Sequence, residues 1–513
     1  MARGQGLAMI TDTTTLALAL GRLGRRKKPS DATPPVGVVV GQTNAGAPVL
    51  WPSPSLSQAS HSAVLAASGA GKTILTSLAL LGEIASDNGH AKESRQGTVV
   101  LDPKGDLIST LLMGLAAELP ERLSDVVYLN PFVGGFHFNL SLLALGKTPL
   151  DIRAHQIAAL VAAVSTGVGS QAHLGAGARQ IDVLEGTTLA ALDCDHPEAS
   201  VLWALDALTQ KKGMGLLAKA TRSRRARQFL EGASLSDELK ASCSSRLRLA
   251  FAASADLERI ATAPGCLSFA EIFAPGKIVL VDLGEPTGGL VSLQTFWANM
   301  FLRLATEFLM ERPSPYSGHH VRTVCDEAQV VAEVLSDVAE RILTTGRSRG
   351  ISLTVLSQGT ALLADASPTL LKVIFTNTPA RFVGRLAAPD AELLSRELAP
   401  GPGIDEPIGA LRSRFSATVS NLPDRGFYLV LPGKRQRFTA RTANLEAWKT
   451  AAETRQAEIA QVKSRFALKN DQPARRFLSE VVGPAAAKPK AKATVAGQLS
   501  PTTPKTKPAS RWG

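Results

Sequence analysis

Cysteine, tyrosine and tryptophan are scarce in this 513-residue chain, at four, three and five residues. The cysteines, Cys194, Cys243, Cys266 and Cys325, are scattered. None forms a Cys-x-x-Cys pair or stands at metal-ligand spacing from a histidine. That excludes a disulfide scaffold and a zinc ribbon, and predicts reduced thiols. Aromatic residues make up only 5% of the chain, too few for a nucleic-acid grip built mainly on base stacking. Long apolar runs are missing as well. The uncharged stretch 16–20 near the start falls far short of the roughly 20 residues that span a bilayer. Its basic cluster follows the apolar part, the reverse of a secretory signal. The expectation is a cytoplasmic protein with no transmembrane segment of its own, peripheral at an inner membrane only through partners.

What the chain does have is 45% hydrophobic residues, enough for a large core, and a net charge of +12. The charge sits at the ends. Residues 1–30 hold six basic side chains (Arg3, Arg22, Arg25, Arg26, Lys27, Lys28) against Asp12. Residues 481–513 hold Lys488, Lys490, Lys492, Lys505, Lys507 and Arg511 and no acid. The remainder, with 44 basic and 43 acidic residues, is close to neutral. The excess charge therefore argues for basic tails rather than a basic body.

Residues 1–33 read as a basic arm ending in the linker "PSDATPP". "VGVVVGQTNAGAPVLW" reads as a hairpin, and from His61 a strand runs into "LAASGAGKT" and then a helix. "GTVVLDPKGDL" is a buried-type strand with an acid at its end. Strand, Gly-rich loop, helix and strand make a βαβ unit, the mark of a mostly parallel sheet flanked by helices. The expected division is 34–147 as the first part of this α/β domain, 148–268 as an all-α insertion, and 269–450 as the second part. The second part holds the strand-like runs 276–284, 321–327, 350–358 and 380–386 and a late hairpin at 426–442. Residues 451–483 form a C-terminal helical segment. From 484 to 513 the Ala, Pro, Lys and Thr composition offers almost nothing to bury, which predicts a disordered basic tail.

"ASGAGKT", residues 67–73, fits a phosphate-binding loop in which Ala66 stands where the pattern begins with glycine. Backbone N–H groups of Ser68, Gly69, Ala70, Gly71, Lys72 and Thr73 can still converge on a phosphate. Lys72 would reach the β- and γ-phosphates, and the Thr73 hydroxyl would bind Mg²⁺. A second requirement is an acid pair ending another strand, and "TVCDEAQ" supplies it. Asp326 would hold the Mg²⁺ shell and Glu327 would polarise the attacking water. Two acids can also simply complement a helix N-terminus. Arg322, inside that strand, has no explanation in the sequence. Asp102-Pro-Lys-Gly matches a GTPase pattern, but no Asn-Lys-x-Asp follows for guanine, so ATP is the expected nucleotide. Gln358 ends a further strand, where it can be a γ-phosphate sensor or a turn residue.

Together "HSAVLAASGAGKT", "TVVLDPKGDL", "TVCDEAQ" and "LTTGRSRGISLTVLSQ" resemble the HerA/FtsK superfamily of ring-forming P-loop (RecA-like) motor ATPases. Within it they are most similar to the TraG/TraD type IV coupling proteins, over about 61–445. The resemblance implies a homohexamer that uses ATP and Mg²⁺ to translocate DNA, single- or double-stranded, in conjugative transfer, in concert with a relaxase and a type IV secretion channel. It implies that Arg347 is an arginine finger acting on a neighbour's γ-phosphate, with Arg349 as fallback. The helix 328–345 is expected to end at Gly346 and present Arg347 beyond its tip. It also makes the insertion the leading place for substrate recruitment.

Two departures stand out. Coupling proteins usually begin with membrane helices, and residues 34–60 are too few for the β-barrel that HerA carries. A protein-delivering secretion ATPase, a soluble HerA-like translocase and a scaffold without turnover therefore stay open as alternatives. Lys72, Asp326 and Glu327 argue against the last. The patch Arg222, Arg224, Arg225 and Arg227 reads as a salt-bridged surface or a DNA contact, as do Lys434, Arg435 and Arg437.

Overall fold

The apolar, β-branched runs of the sequence become neighbours in one sheet. The computed structural model describes residues 37–52, 61–132, 149–164, 177–196, 198–262, 269–284, 291–398, 407–431, 434–467 and 476–482. Its strands are β1 (Gly37–Gln42), β2 (Pro48–Pro52), β3 (Ser62–Leu65), β4 (Gly97–Asp102), β5 (Val126–Leu129) and β6 (Ile278–Asp282). They continue with β7 (Val321–Cys325), β8 (Ile351–Ser357), β9 (Ala380–Val383), β10 (Gly426–Leu431) and β11 (Lys434–Ala440). The order across the sheet is β2-β1-β11-β10-β9-β3-β8-β7-β4-β6-β5.

The run from β9 to β5 is parallel throughout. β10, β11, β1 and β2 extend it antiparallel. Parallel strands are covered on both faces and so carry unbroken apolar sequences, and β3 to β8 are buried almost throughout. One strand is not legible in the sequence: β5, "VVYL", is too brief to be told from a buried helix turn by periodicity.

One face of the sheet packs under the helices Lys72–Ser86, Asp106–Glu118, Leu445–Thr454 and Gln456–Ser464. Against the other face lie the helices Leu150–Ala163 through Phe269–Ile272, which separate β5 from β6, together with Val291–Met310. These helices share one continuous apolar core with the sheet, in which Trp203, Phe251 and Trp297 are fully enclosed. The helix Leu445–Thr454 spans the junction expected at 450–451. Further on, the Leu478 amide donates to Asp206 Oδ2 at 2.9 Å, so the C-terminal segment returns to the all-α layer. The arm 1–33 and the tail 484–513 lie outside the described residues. No helix among the described residues is long and apolar enough to cross a membrane.

Arg322 acquires its reason here. It is buried on β7, its Nη1 donates to Thr354 Oγ1 of β8 at 2.9 Å, and its guanidinium faces Glu83 of the helix Lys72–Ser86. A lone buried arginine in a strand is legible only once its partner, 239 residues away, is placed beside it.

Candidate nucleotide site

β3 ends at Leu65, and the next residues turn over the carboxyl ends of β8 and β9. The Ala66 amide donates to Ser357 O at 3.1 Å, and the Ala67 amide to Arg385 O at 2.8 Å. Gly69 (φ 77°) and Gly71 (φ 96°) then adopt left-handed conformations that strongly favour glycine. Gly71 is the N-cap of the helix Lys72–Ser86, which has no side-chain cap and no acid in its first turn. Its leading N–H groups and dipole are therefore left for an outside anion. Ser68 and Gly69 are exposed, Ala70 is buried and Thr73 is half-buried.

β7 lies two strands from β3, with β8 between, so its carboxyl end brings Asp326 and Glu327 to the same edge. Lys72 Nζ is 3.3 Å from Asp326 Oδ1 and 3.5 Å from Glu327 Oε1, and all three side chains are buried. Glu327 takes the left-handed backbone region (φ 46°, ψ 50°), costly for a non-glycine residue and held by the surrounding bonds. Gln358, just past β8, donates Nε2 to Glu327 Oε1 at 2.6 Å. Burial pushes the Asp326 carboxyl up, against the pull of Lys72. Burial also raises that of Glu327, but Lys72, Gln358 and Lys104 outweigh it and leave it below the ordinary value.

Three further residues complete this cluster and were missed in the sequence. Lys104 Nζ donates to Glu327 Oε1 at 3.0 Å. Gln329 donates to Glu327 Oε2 and accepts from Ser357 Oγ at 3.1 Å. Arg425, left-handed at φ 64°, donates its backbone N–H to Ala70 O at 3.2 Å, and a Cβ on Gly71 would stand 3.3 Å from its Cγ. The signals were partial at best: Lys104 lies in the Asp102-Pro-Lys-Gly motif, while Arg425 stands 354 positions from Gly71. Asp102 itself caps the next helix, accepting from the amides of Lys104 at 2.9 Å and Ile108 at 3.1 Å. Burial, with Asp326 second, raises its carboxyl to about 6.

Arg347 does not join this cluster. The helix expected over 328–345 is a 3-10 turn (Ala328–Val331), an α-helix (Ala332–Arg341) and a π-turn (Ile342–Gly346). Gly346 has ordinary helical angles, and the 3-10 turn Arg347–Arg349 follows it directly. The stop is Gly350, at φ 70°. Only a left-handed residue reverses the chain into β8 here, so the terminating glycine lies four positions later than its sequence pattern suggested. Arg347 is thus exposed at the start of β8, about 20 Å along the strand from Ser357, at a rise of roughly 3.3 Å per residue. Arg349 is engaged elsewhere, donating to the Arg312 carbonyl.

Most of the 222–227 arginines are committed. Arg222 pairs with Asp195, and Arg225 with Glu185 at 2.8 Å. Arg227 donates to the Thr221 carbonyl at 2.6 Å. Arg435 and Arg437 of β11 are exposed.

The donors present suit a triphosphate with a divalent cation. An uncapped helix start and a buried lysine face the phosphate position, and the Thr73 hydroxyl and the Asp326 carboxylate are the hard oxygen ligands that Mg²⁺ takes.

No family model matches the sequence, and no curated protein matches it significantly. Solved structures do match. VirB4 of Thermoanaerobacter pseudethanolicus superposes with a TM-score of 0.52 at 17% identity, over 82% of this chain and all of that one. The bacterial conjugative coupling protein TrwBΔN70 superposes with a TM-score of 0.51 at 18% identity, over 83% of this chain and 93% of that one. The chain shares their fold, a mostly parallel P-loop sheet flanked by helices.

Proposed function

We propose that this chain is an ATPase motor of the type IV coupling kind, which works as a homohexameric ring and moves DNA in conjugative transfer or type IV secretion. The observation that carries the reading is the meeting of Lys72, Asp326, Glu327 and Gln358 at the mouth of the phosphate loop. The shared fold with VirB4 and a conjugative coupling protein supports the choice of motor.

The N–H groups of Ser68 to Thr73 bind the β-phosphate, and Lys72 turns from the two carboxylates toward the terminal phosphate. Thr73 and Asp326 would hold Mg²⁺, which supplies neutralisation of the phosphate charge. Glu327 accepts the proton of the attacking water, a role worth about 10²–10⁴ in rate, and Gln358 orients that water. Arg347 is too far along β8 to serve its own site, so it acts on a neighbour's, which requires an oligomer. The basic arm and tail supply sequence-independent contacts to DNA phosphates. The all-α layer recruits the substrate, and the protein acts in the cytoplasm, brought to the inner membrane by a relaxase and channel.

The test is ATP turnover at low salt with no DNA, single-stranded DNA and duplex DNA, beside Lys72→Ala and Glu327→Gln. Stimulation by DNA that both variants abolish is the expected result. The neutralised arginines of 222–227 favour a second reading, delivery of protein substrates. An assembled ring whose turnover ignores both DNA forms would favour that reading over the first.

A further inference from the structure

Glu327 is the most heavily engaged acceptor of the site. Lys104, Gln358 and Lys72 approach Oε1, at 3.0, 2.6 and 3.5 Å, and Gln329 donates to Oε2. A carboxylate offers about four lone-pair sites. Oε1, with three donors on its two sites, has none left for the proton of a water molecule, while Oε2, with Gln329 alone, keeps one. Lys72 leaves when a phosphate arrives, and the two glutamines are neutral. Lys104 is the remaining charge, brought in from the turn after β4 on a side chain that is half exposed.

Lys104 also has somewhere to go. It lines a cavity of about 640 Å³ whose other walls include Asp106, Tyr128, Asn130 and Asp282. Asp282 ends β6, next to β4, and a Cβ on Gly105 would lie 2.9 Å from its Oδ1. The carboxylate therefore abuts the backbone that carries Lys104. Its oxygens accept from Tyr128 Oη at 2.6 Å and the Gly284 amide at 2.9 Å, which leaves a lone-pair site on each for an ammonium.

We propose that Lys104 is a positioning residue that holds Glu327 in a resting state and frees it by swinging from Glu327 into the cavity beside Asp282. The proposal rests on the ATPase reading above. It makes release of Lys104 a step before water activation, and assigns the lysine of Asp-Pro-Lys-Gly to restraint rather than to nucleotide contact.

The experiment is steady-state ATP turnover of the full chain without DNA, together with binding of a fluorescent ATP analogue. Lys104→Met keeps the stem and removes the charge. Its kcat is expected to rise about threefold or more with KM unchanged, a split that loss of a merely structural contact would not produce. Lys104→Arg should return turnover toward the wild-type level. Asp282→Asn, which weakens the destination, should lower kcat while analogue binding persists. Should Lys104→Met fail to bind the analogue, Lys104→Gln carries the same readout. A kcat at or below wild type in a Lys104 variant that binds nucleotide overturns the restraint. A wild-type chain that binds the analogue and never turns over ATP overturns the ATPase reading, and the restraint with it.

Discussion

Arg322 of β7 holds Glu83 of the phosphate-loop helix through two contacts, Nε to Oε2 at 2.7 Å and Nη2 to Oε1 at 2.8 Å. Both side chains are buried, and Trp51 lies 6.0 Å from the guanidinium. The pair ties the strand that carries Asp326 to the helix that carries Lys72. Removing one partner strands a charge in the core, so Glu83→Ala is expected to cost about 3–5 kcal/mol in urea unfolding. The double variant Arg322→Met/Glu83→Leu should recover most of that. A single substitution costing under about 1 kcal/mol would show that the ions are solvated or dispensable.

The pair also marks where sequence reading stops. Local chemistry was enough for the phosphate loop, because Gly69, Gly71 and Lys72 lie within four residues and their spacing carries the geometry. It was enough for β4, β6, β7 and β8, whose unbroken apolar runs match a parallel sheet. It could not pair Arg322 with Glu83, or place Lys104 and Arg425, because those contacts form only when crossovers bring distant strand ends together, and Gln329, two residues past Glu327, shows its role only once Ser357 of β8 lies beside it. The helix before β8 was misjudged for a local reason. Both Gly346 and Gly350 fit a helix stop, and only the backbone distinguishes the one with φ 70°.

Arg347 and Arg349 are separable. Arg349 donates to the Arg312 carbonyl, and Arg312 lies 4.6 Å over the Tyr316 ring, so Arg349 buttresses the turn. Arg349→Ala should lower the melting temperature and change turnover less than tenfold, whereas Arg347→Ala should lose about 10³–10⁵ in kcat. Mixing Lys72→Ala with Arg347→Ala chains creates interfaces with one intact site and one intact finger. Turnover should then reappear, and a mixture as inactive as its parts would place Arg347 outside the trans role.

Arg425 stands over the phosphate loop with an exposed side chain and a left-handed backbone at φ 64°. Such a conformation at a non-glycine residue is retained where the surroundings fix it, and here its amide is fixed to Ala70 O. A guanidinium so placed can form charge-assisted bonds to a bound nucleotide's phosphates. Arg425→Ala is expected to raise KM for ATP about tenfold with little change in kcat, the signature of uniform binding. Isothermal titration with a non-hydrolysable analogue should show the same loss, and unchanged affinity would assign Arg425 to loop structure alone.

His61 gives the fold an acid limit. It is fully buried at the start of β3, and its Nδ1 accepts the Leu353 amide at 3.1 Å, a bond that requires that nitrogen to be unprotonated. Burial first, then Arg347 and Arg322, lower its pKa from 6.5 to about 4. Because the folded value lies below the unfolded one, the unfolded chain binds the proton more readily. The neutral ring's contribution to stability is complete above about pH 6.5 and is lost as pH falls toward 4. A shift of that size corresponds to about 3 kcal/mol. His320 stands close enough to feel the charge of His61, and its own pKa is lowered by burial, so it adds to the same acid sensitivity. His61→Gln keeps an acceptor for Leu353 but cannot titrate. Urea midpoints for the two proteins should therefore diverge between pH 7 and pH 4, with wild type losing up to about 3 kcal/mol more than the variant. Parallel curves across that range would mean that His61 is protonated in the folded chain as easily as in the unfolded one.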